Sequence, residues 1–347
     1  MTQEPFPGVF VVEAETEMVG VRHLNYGILR GKPGERSVLI DCGFPAGLDP
    51  SGAETLRRAF QELRLSPAEL DVLITHGHKD HLGQAQELER LGARIFVNPE
   101  DMDQSAILNT LLMGDEGRRM LFRLVGLETY DRETYEAFWS AADGFVEGYR
   151  NIWDFPYTPI HPGESRTVGD YCLEVAALPG HTRGELGFFD RKHKFIFSGD
   201  HVLEEVYKRQ LEEVAPIVSN IGEFPNALSA YLRTLREVAE RFSDYLFVPG
   251  HGAPFRNPEA AVRKAERYYR KHCDQLEKIV RDEGRPVLLR DVGSMAYRRY
   301  RRPLTMKERE VCIQIWFKTY ACLKYLEEQG RLREELRDGA SYWSAGA

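Results

Sequence analysis

Residues 75–83 read Thr75-His76-Gly77-His78-Lys79-Asp80-His81-Leu82-Gly83, which puts three of the chain's ten histidines and one aspartate within six positions, directly after the apolar run Val72–Thr75. Imidazole and carboxylate are the side chains that hold zinc and similar divalent ions. A strand that ends in a tight turn can aim several of them at one point, and Gly77 is expected to allow an unusual backbone there. Three further stretches repeat the order strand, turn, candidate ligand: Pro179-Gly180-His181-Thr182, Ser198-Gly199-Asp200 and Pro249-Gly250-His251-Gly252. A solitary histidine near a turn is ordinarily a surface residue, and His23, His161, His193, His201 and His272 are read that way. The HxHxDH cluster with its three distant partners has no packing use and predicts a metal site.

The surrounding pattern is layered α/β. Strands are expected at Gly8–Val12, Asn25–Arg30, Ser37–Ile40, Val72–Thr75 and Ala93–Val97. Between them the spacing predicts a helix over 51–64, a short helix capped by Ser66, and a helix over Leu82–Leu91 that stops at Gly92. From 101 to 155 the spacing is helical and rich in aromatics, an insertion that must bury itself on the domain or over a substrate. Strands return at Tyr171–Ala176, Glu185–Phe189, Lys194–Ser198 and Tyr245–Val248, with a helix over Phe224–Phe242 before the last. Beyond Arg256-Asn257-Pro258 the chain is charged and helix-rich, with long helices over Pro258–Asp282 and Leu304–Gln329. The expected division is a catalytic domain over 1–256, with the insertion 101–155 over its active site, and a C-terminal domain over 257–347.

The ligand pattern resembles that of the metallo-β-lactamase fold superfamily: HxHxDH, then a lone His, a lone Asp and a lone His in that chain order. All seven positions are filled, by His76, His78, Asp80, His81, His181, Asp200 and His251, and the resemblance spans roughly residues 8–255. It implies an αββα sandwich, with two sheets face to face, helices outside and metals at one sheet edge. It further implies that His76, His78 and His181 hold one ion, that Asp80, His81 and His251 hold another, and that Asp200 bridges them. Zinc is the expected metal, with iron or manganese as alternatives. Two such ions about 3.5–4 Å apart can share a hydroxide at neutral pH. Asp80 is then the residue to orient the nucleophile or shuttle its proton, and Asp41, in the turn Ile40-Asp41-Cys42-Gly43, is a candidate to accept a ligand histidine's N–H; capping a local turn is the equal alternative for Asp41.

Within that superfamily, Asp200 sets the chain apart from the antibiotic-cleaving members, which lack a bridging aspartate, and His78 sets it apart from the oxygen reductases with HxExD. Hydroxyacylglutathione hydrolases share all seven ligands, but His201-Val202-Leu203-Glu204-Glu205 departs from their usual continuation. The tail's order of helix, Pro286–Leu289, helix and the stretch near Gly330 resembles a small winged-helix module found in a branch with thioesterases and a single-strand RNA endonuclease. The expected activity is therefore a dinuclear metal-dependent hydrolase of an ester or thioester, its acyl group linked to a carrier or to coenzyme A. The alternatives are a phosphodiesterase on single-stranded RNA, and an iron oxygenase of the persulfide dioxygenase kind. Arg298, Arg299, Arg301 and Arg302, interleaved with Tyr297 and Tyr300, are candidate phosphate contacts; pairing with the acidic residues of 308–338 is the favoured reading of that patch.

Composition narrows the setting. Of 347 residues 42% are apolar and 29% charged, with a net charge of −8, which suits a folded chain and disfavours one coated by nucleic acid. The longest runs without a charged residue, Gln104–Gly114 and Tyr245–Phe255, span eleven residues, against the roughly 20 that a membrane helix needs. Met1–Gly8 lacks the basic start and apolar run of a secretory signal. Five widely spaced cysteines without a CxxC pair read as reduced thiols, and the expected location is the cytoplasm.

Overall fold

Val9–Glu15 opens with four apolar, β-branched or aromatic residues, as a strand covered on both faces does, and its Val9 and Val11 face the core between two sheets. The computed structural model describes residues 2–16, 18, 23–102, 115–129, 132–147, 152–204, 226–297 and 306–346. These gather into two compact units. The first is drawn from Met1–Ser105, Asn151–Pro216 and Arg233–Lys264, and the second from Ala106–Arg150, Ile217–Leu232 and Ala265–Ala347.

In the first unit, one sheet runs β1 (Thr2–Phe6), β2 (Val9–Glu15), β3 (His23–Leu29), β4 (Ser37–Ile40), β5 (Leu70–Leu73), β6 (Arg94–Val97) and β7 (Thr158–Pro159), each beside the next. Its first four strands are antiparallel and its last four parallel. The second sheet holds β8 (Ser165–Val168), β9 (Tyr171–Ala177), β10 (Leu186–Asp190), β11 (Phe195–Phe197) and β12 (Leu246–Val248), in the spatial order β12-β11-β10-β9-β8. Val9, Val11, Leu29, Val38, Ile40, Leu73 and Phe96 of the first sheet meet Leu173, Val175, Leu186, Phe188, Phe195, Phe197 and Val248 of the second in one buried cluster. This is the sandwich core expected of two sheets packed face to face.

Helix α1 (Pro50–Leu63) opens on Asp49, whose carboxylate accepts the Gly52 N–H, and closes on Arg64 in the left-handed conformation. The predicted helix over Leu82–Leu91 is instead two pieces, α2 (Lys79–Leu82) and α3 (Ala85–Arg90), so that Asp80 and His81 sit on a single turn of their own. Ser66 makes no side-chain cap, and only a 3-10 turn follows it.

The second unit contains α4 (Asp115–Val125) and α5 (Arg132–Glu147) of the insertion, and a C-terminal set. Helix α6 (Ala227–Arg241) and helix α7 (Pro258–Glu283) each supply residues to both units. After α7 come β13 (Val287–Leu288), α8 (Leu289–Ala296), α9 (Met306–Glu328), β14 (Leu332–Arg337) and β15 (Ala340–Ala345), with the sheet order β13-β15-β14. Helix α5 packs on α9 through Phe138 and Trp316, whose rings are 5.1 Å apart, and Phe122 meets Tyr135 and Trp139 edge-on. Phe138 is thus buried against a C-terminal helix of its own unit, Phe122, Tyr135 and Trp139 cluster with one another, and Trp153 belongs to the first unit. Among the described residues no helix is long and apolar enough to cross a membrane. Arg298, Arg299, Arg301 and Arg302 lie outside the described residues.

Candidate metal centre

Strand direction explains why distant residues meet. Strand β10 is antiparallel to both β9 and β11, and β12 is parallel to β11, so β9, β11 and β12 all end on the same edge of their sheet. His181 follows β9, Asp200 follows β11 and His251 follows β12. His76, His78, Asp80 and His81 follow β5 of the other sheet. The structure brings all seven predicted residues together in two groups, His76 with His78 and His181, and Asp80 with His81, Asp200 and His251. Within each group the candidate ligand atoms lie within 4.8 Å of one another.

In the first group His78 Nδ1 lies 3.0 Å from both His76 Nε2 and His181 Nε2. In the second, His251 Nε2 is 3.3 Å from Asp80 Oδ2 and 3.1 Å from Asp200 Oδ2, and His81 Nε2 is 3.4 Å from Asp200 Oδ1. Asp200 Oδ2 also stands 3.7 Å from His181 Nε2, so this carboxylate faces both groups. A tetrahedral ion with bonds of 2.0–2.1 Å has ligand–ligand edges of about 3.3 Å. The donors match that size, and His81 Nε2 and Asp200 Oδ1 are buried without a hydrogen-bond partner. Nitrogen and oxygen donors so placed fit divalent cations.

Hydrogen bonds behind the rings settle which nitrogen faces inward. Thr75 Oγ1 donates to Asp41 Oδ2 at 2.8 Å and is 3.1 Å from His76 Nδ1, so it accepts that N–H and leaves Nε2 its lone pair. His81 Nδ1 donates to Asp41 Oδ2 at 2.7 Å, and His251 Nδ1 donates to the His23 carbonyl at 2.8 Å. Asp41 also accepts the Thr75 backbone N–H at 2.8 Å. Its own backbone sits at φ 58°, a conformation costly for a residue with a Cβ, and these bonds hold it there. Asp41 therefore braces a candidate ligand as well as its turn.

Close approach rather than backbone freedom explains Gly250, where an added Cβ would lie 2.5 Å from Asp200 Oδ1 and 2.6 Å from His81 Cε1. The expectation for Gly77 needs correcting: left-handed backbone occurs at Gly199 and Gly252 instead.

Charge divides the two groups. Burial pushes His76 well below its usual value and His78 down to about 3, and the neighbouring imidazoles add to the effect, so these two rings are neutral. In the second group burial opposes ionisation, but opposite charges win. Asp200 and Asp80 raise His251 to about 10, and Asp41 and Asp200 raise His81 well above its usual value. Asp80 and Asp200 are held below the usual carboxylate range, chiefly by His81 and His251. Without a cation, protons take its place in this group.

Several buried polar residues around the site carry no sequence signal of their own. Glu185 is fully buried, and its Oε1 accepts the Asp200 N–H at 2.8 Å. Asn25 donates to the carbonyls of Pro249 and Gly252 on either side of His251, at 2.8 and 2.6 Å. Asp101 bonds Gly77 and Gly184. They come from separate strands and turns, and only the fold shows their purpose. Two histidines read as surface residues are buried instead: His201 is enclosed beside Glu185, and His272 lies within the second unit with Nε2 3.2 Å from the Tyr297 hydroxyl. Val202-Leu203 after His201 was the available signal there; His272 sits in the charged stretch Arg270-Lys271-His272-Cys273-Asp274, where only its helical spacing from Tyr268, Tyr269 and Leu276 hinted at burial.

Comparison with known proteins agrees with this geometry. A family model described as the metallo-beta-lactamase superfamily matches residues 19–251. The chain is 26% identical over 274 residues to the acyl-coenzyme A thioesterase MBLAC2 of Gallus gallus, covering 78% of this chain and 84% of that one. It is 30% identical over 157 residues to the hydroxyacylglutathione hydrolase GloC of Haemophilus influenzae, covering 44% and 58%. A metallo-beta-lactamase family protein of Thermus thermophilus shares the fold with a TM-score of 0.74 at 19% identity, over 98% of this chain and 99% of that one. With the sandwich, the ordered ligand pattern and the family match in agreement, the chain belongs to the metallo-beta-lactamase superfamily.

Proposed function

We propose that this chain is a dinuclear metal-dependent thioesterase acting on acyl groups carried by coenzyme A or a similar thiol. The observation that carries the reading is Asp200, whose carboxylate faces a three-nitrogen group on one side and an aspartate–histidine group on the other. His76, His78 and His181 would hold one ion and Asp80, His81 and His251 a second, with the Asp200 carboxylate available to either. Zinc suits the donor set, with iron and manganese as the alternatives that nitrogen and oxygen ligands admit. When bound, the pair of ions supplies an acidified water and a Lewis acid for the thioester carbonyl.

The chain's own residues do the rest. Asp80, partly exposed at the rim and held ionised, accepts a hydrogen bond from the attacking water and fixes its orientation. An anion whose basicity is so reduced orients a nucleophile better than it removes a proton. Asp41 and Thr75 keep His81 and His76 in the tautomers that point Nε2 inward.

Substrate class rests on the acyl-coenzyme A thioesterase relative, whose similarity runs through most of both chains. The C-terminal order of helix, strand, two helices and a two-stranded hairpin is that of a winged helix, and we read it as one. Its second helix of the pair, α9, would be the one to enter a nucleic-acid groove, and it is covered by α5 through Phe138 and Trp316, which disfavours the RNA reading. A mononuclear iron oxygenase would leave the Asp80, His81, Asp200 and His251 group without a role. The test is a panel of acyl-coenzyme A, hydroxyacylglutathione, lactone, phosphodiester and persulfide substrates. Acyl-coenzyme A should turn over fastest; faster turnover of the phosphodiester or the persulfide would overturn the assignment.

A further inference from the structure

Gly77 is the peptide between two ligand histidines, and it is gripped from both sides by the stems of the insertion. Its N–H donates to Asp101 Oδ2, and its carbonyl accepts the indole N–H of Trp153 at 2.9 Å. The other oxygen of Asp101, Oδ1, accepts the Gly184 N–H at 3.0 Å, three residues beyond His181. Asp101 is almost fully buried. Asn98 secures the same turn: its side-chain amide donates to the Gly184 carbonyl at 2.8 Å, while its backbone carbonyl accepts the Asp101 N–H at 3.0 Å. An added Cβ at Gly184 would lie 2.6 Å from the Asp101 nitrogen, so the approach tolerates no side chain.

The consequence is geometric. His76 and His78 lie on one loop and His181 on another, more than a hundred residues away, yet their nitrogens must meet at 3.0 Å. One buried carboxylate, belonging to neither loop, bonds the backbone of both. The second group of ligands has no such bond to Asp101. Resting on the hydrolase reading above, we infer that Asp101 is a positioning residue for the three-histidine half of the site, and that Trp153 supports it from the far stem of the same insertion. Occupancy of that half is thereby tied to the insertion's two ends, while the aspartate–histidine half is held through Asn25 and through Asp41, which also reaches His76 by way of Thr75.

The test uses the full chain loaded with two equivalents of cobalt(II) and challenged with graded chelator, with each ion's loss followed by its visible absorption. Asp101→Asn keeps the size but sets an amide N–H against a backbone N–H. It should weaken one ion about 10–100-fold, the range for losing an outer partner of a metal ligand, and change the absorption of that ion alone. Trp153→Phe should weaken the same ion by a smaller factor. Two ions held as tightly as in the wild type would overturn the inference, and so would equal weakening of both, which is what a purely structural role gives. If Asp101→Asn fails to fold, Trp153→Phe decides: unchanged affinity of the three-histidine ion overturns the inference. A wild-type chain that binds no cobalt overturns the hydrolase reading and this inference with it, whereas a wild type with two ions and an Asp101→Asn variant with both intact overturns the inference alone.

Discussion

At the scale of single residues, the chemistry is carried by proton placement. Asp41 accepts from Thr75 and His81 while sitting in a strained backbone conformation. Asp41→Asn should lower metal affinity about 10–100-fold, measured by chelator competition, with the mixed group suffering most. His251 titrates near 10 in the metal-free fold against 6.5 for an ordinary histidine, because Asp200 and Asp80 outweigh its burial. Its charged form therefore stabilises the metal-free fold fully below pH 6.5, and that contribution is lost as pH rises through 10. A cation must displace this proton, so affinity at the mixed group should climb between pH 6.5 and 10. Calorimetry at pH 8 in buffers of different ionisation enthalpy should register the released proton; heats independent of buffer would contradict the assignment. The seven candidate ligands were legible because their residue types and glycine-flanked turns are unusual. Asp101, Glu185 and Asn25 were not, since a lone polar residue shows its partners only after folding.

At the scale of elements, the sequence pattern located the central strands well and the edges poorly. Ser37–Ile40 is a strand over the residues expected, and Pro258–Glu283 is the long helix that its spacing predicts. Thr2–Phe6 escaped because a proline and polar residues mark an edge strand rather than a core one. The hairpin of β14 and β15 escaped because Leu332–Arg337 is mostly charged, although Asp338-Gly339, both left-handed, was a hairpin signal in plain view. The helix expected over Leu82–Leu91 breaks in two, which spacing alone does not show. On α7, His272 is buried against Tyr268, Tyr297 and Lys318, and burial with the Lys318 charge pushes it down to about 3. An unfolded histidine gains its proton below pH 6.5 while this one stays neutral, so acid favours unfolding from 6.5 down to 3. The slope from this one group is about 1.4 kcal/mol per pH unit. His272→Gln should flatten the fall of the melting temperature between pH 6.5 and 4; an identical fall in both proteins would count against a neutral buried His272.

At the scale of the whole molecule, the chain is assembled from segments that alternate along the sequence: 106–150 and 217–232 join the C-terminal residues in the second unit, and no single cut divides the two. Hydrophobic period reveals faces of helices and strands, but it says nothing about which distant face each one meets. Direction does more: once β9, β11 and β12 run the same way, their ends must share an edge, and His181, Asp200 and His251 meet there. The proposed function requires two cations, held by the seven candidate ligand side chains, for turnover. The most direct measurement follows metal content and acyl-coenzyme A hydrolysis in one sample through chelation and restoration. Two ions per chain should fall to none as hydrolysis is lost, both should return on adding the metal back, and Asp200→Asn should hold one ion with most of its turnover gone. Hydrolysis that continues unchanged in the fully stripped chain would contradict it.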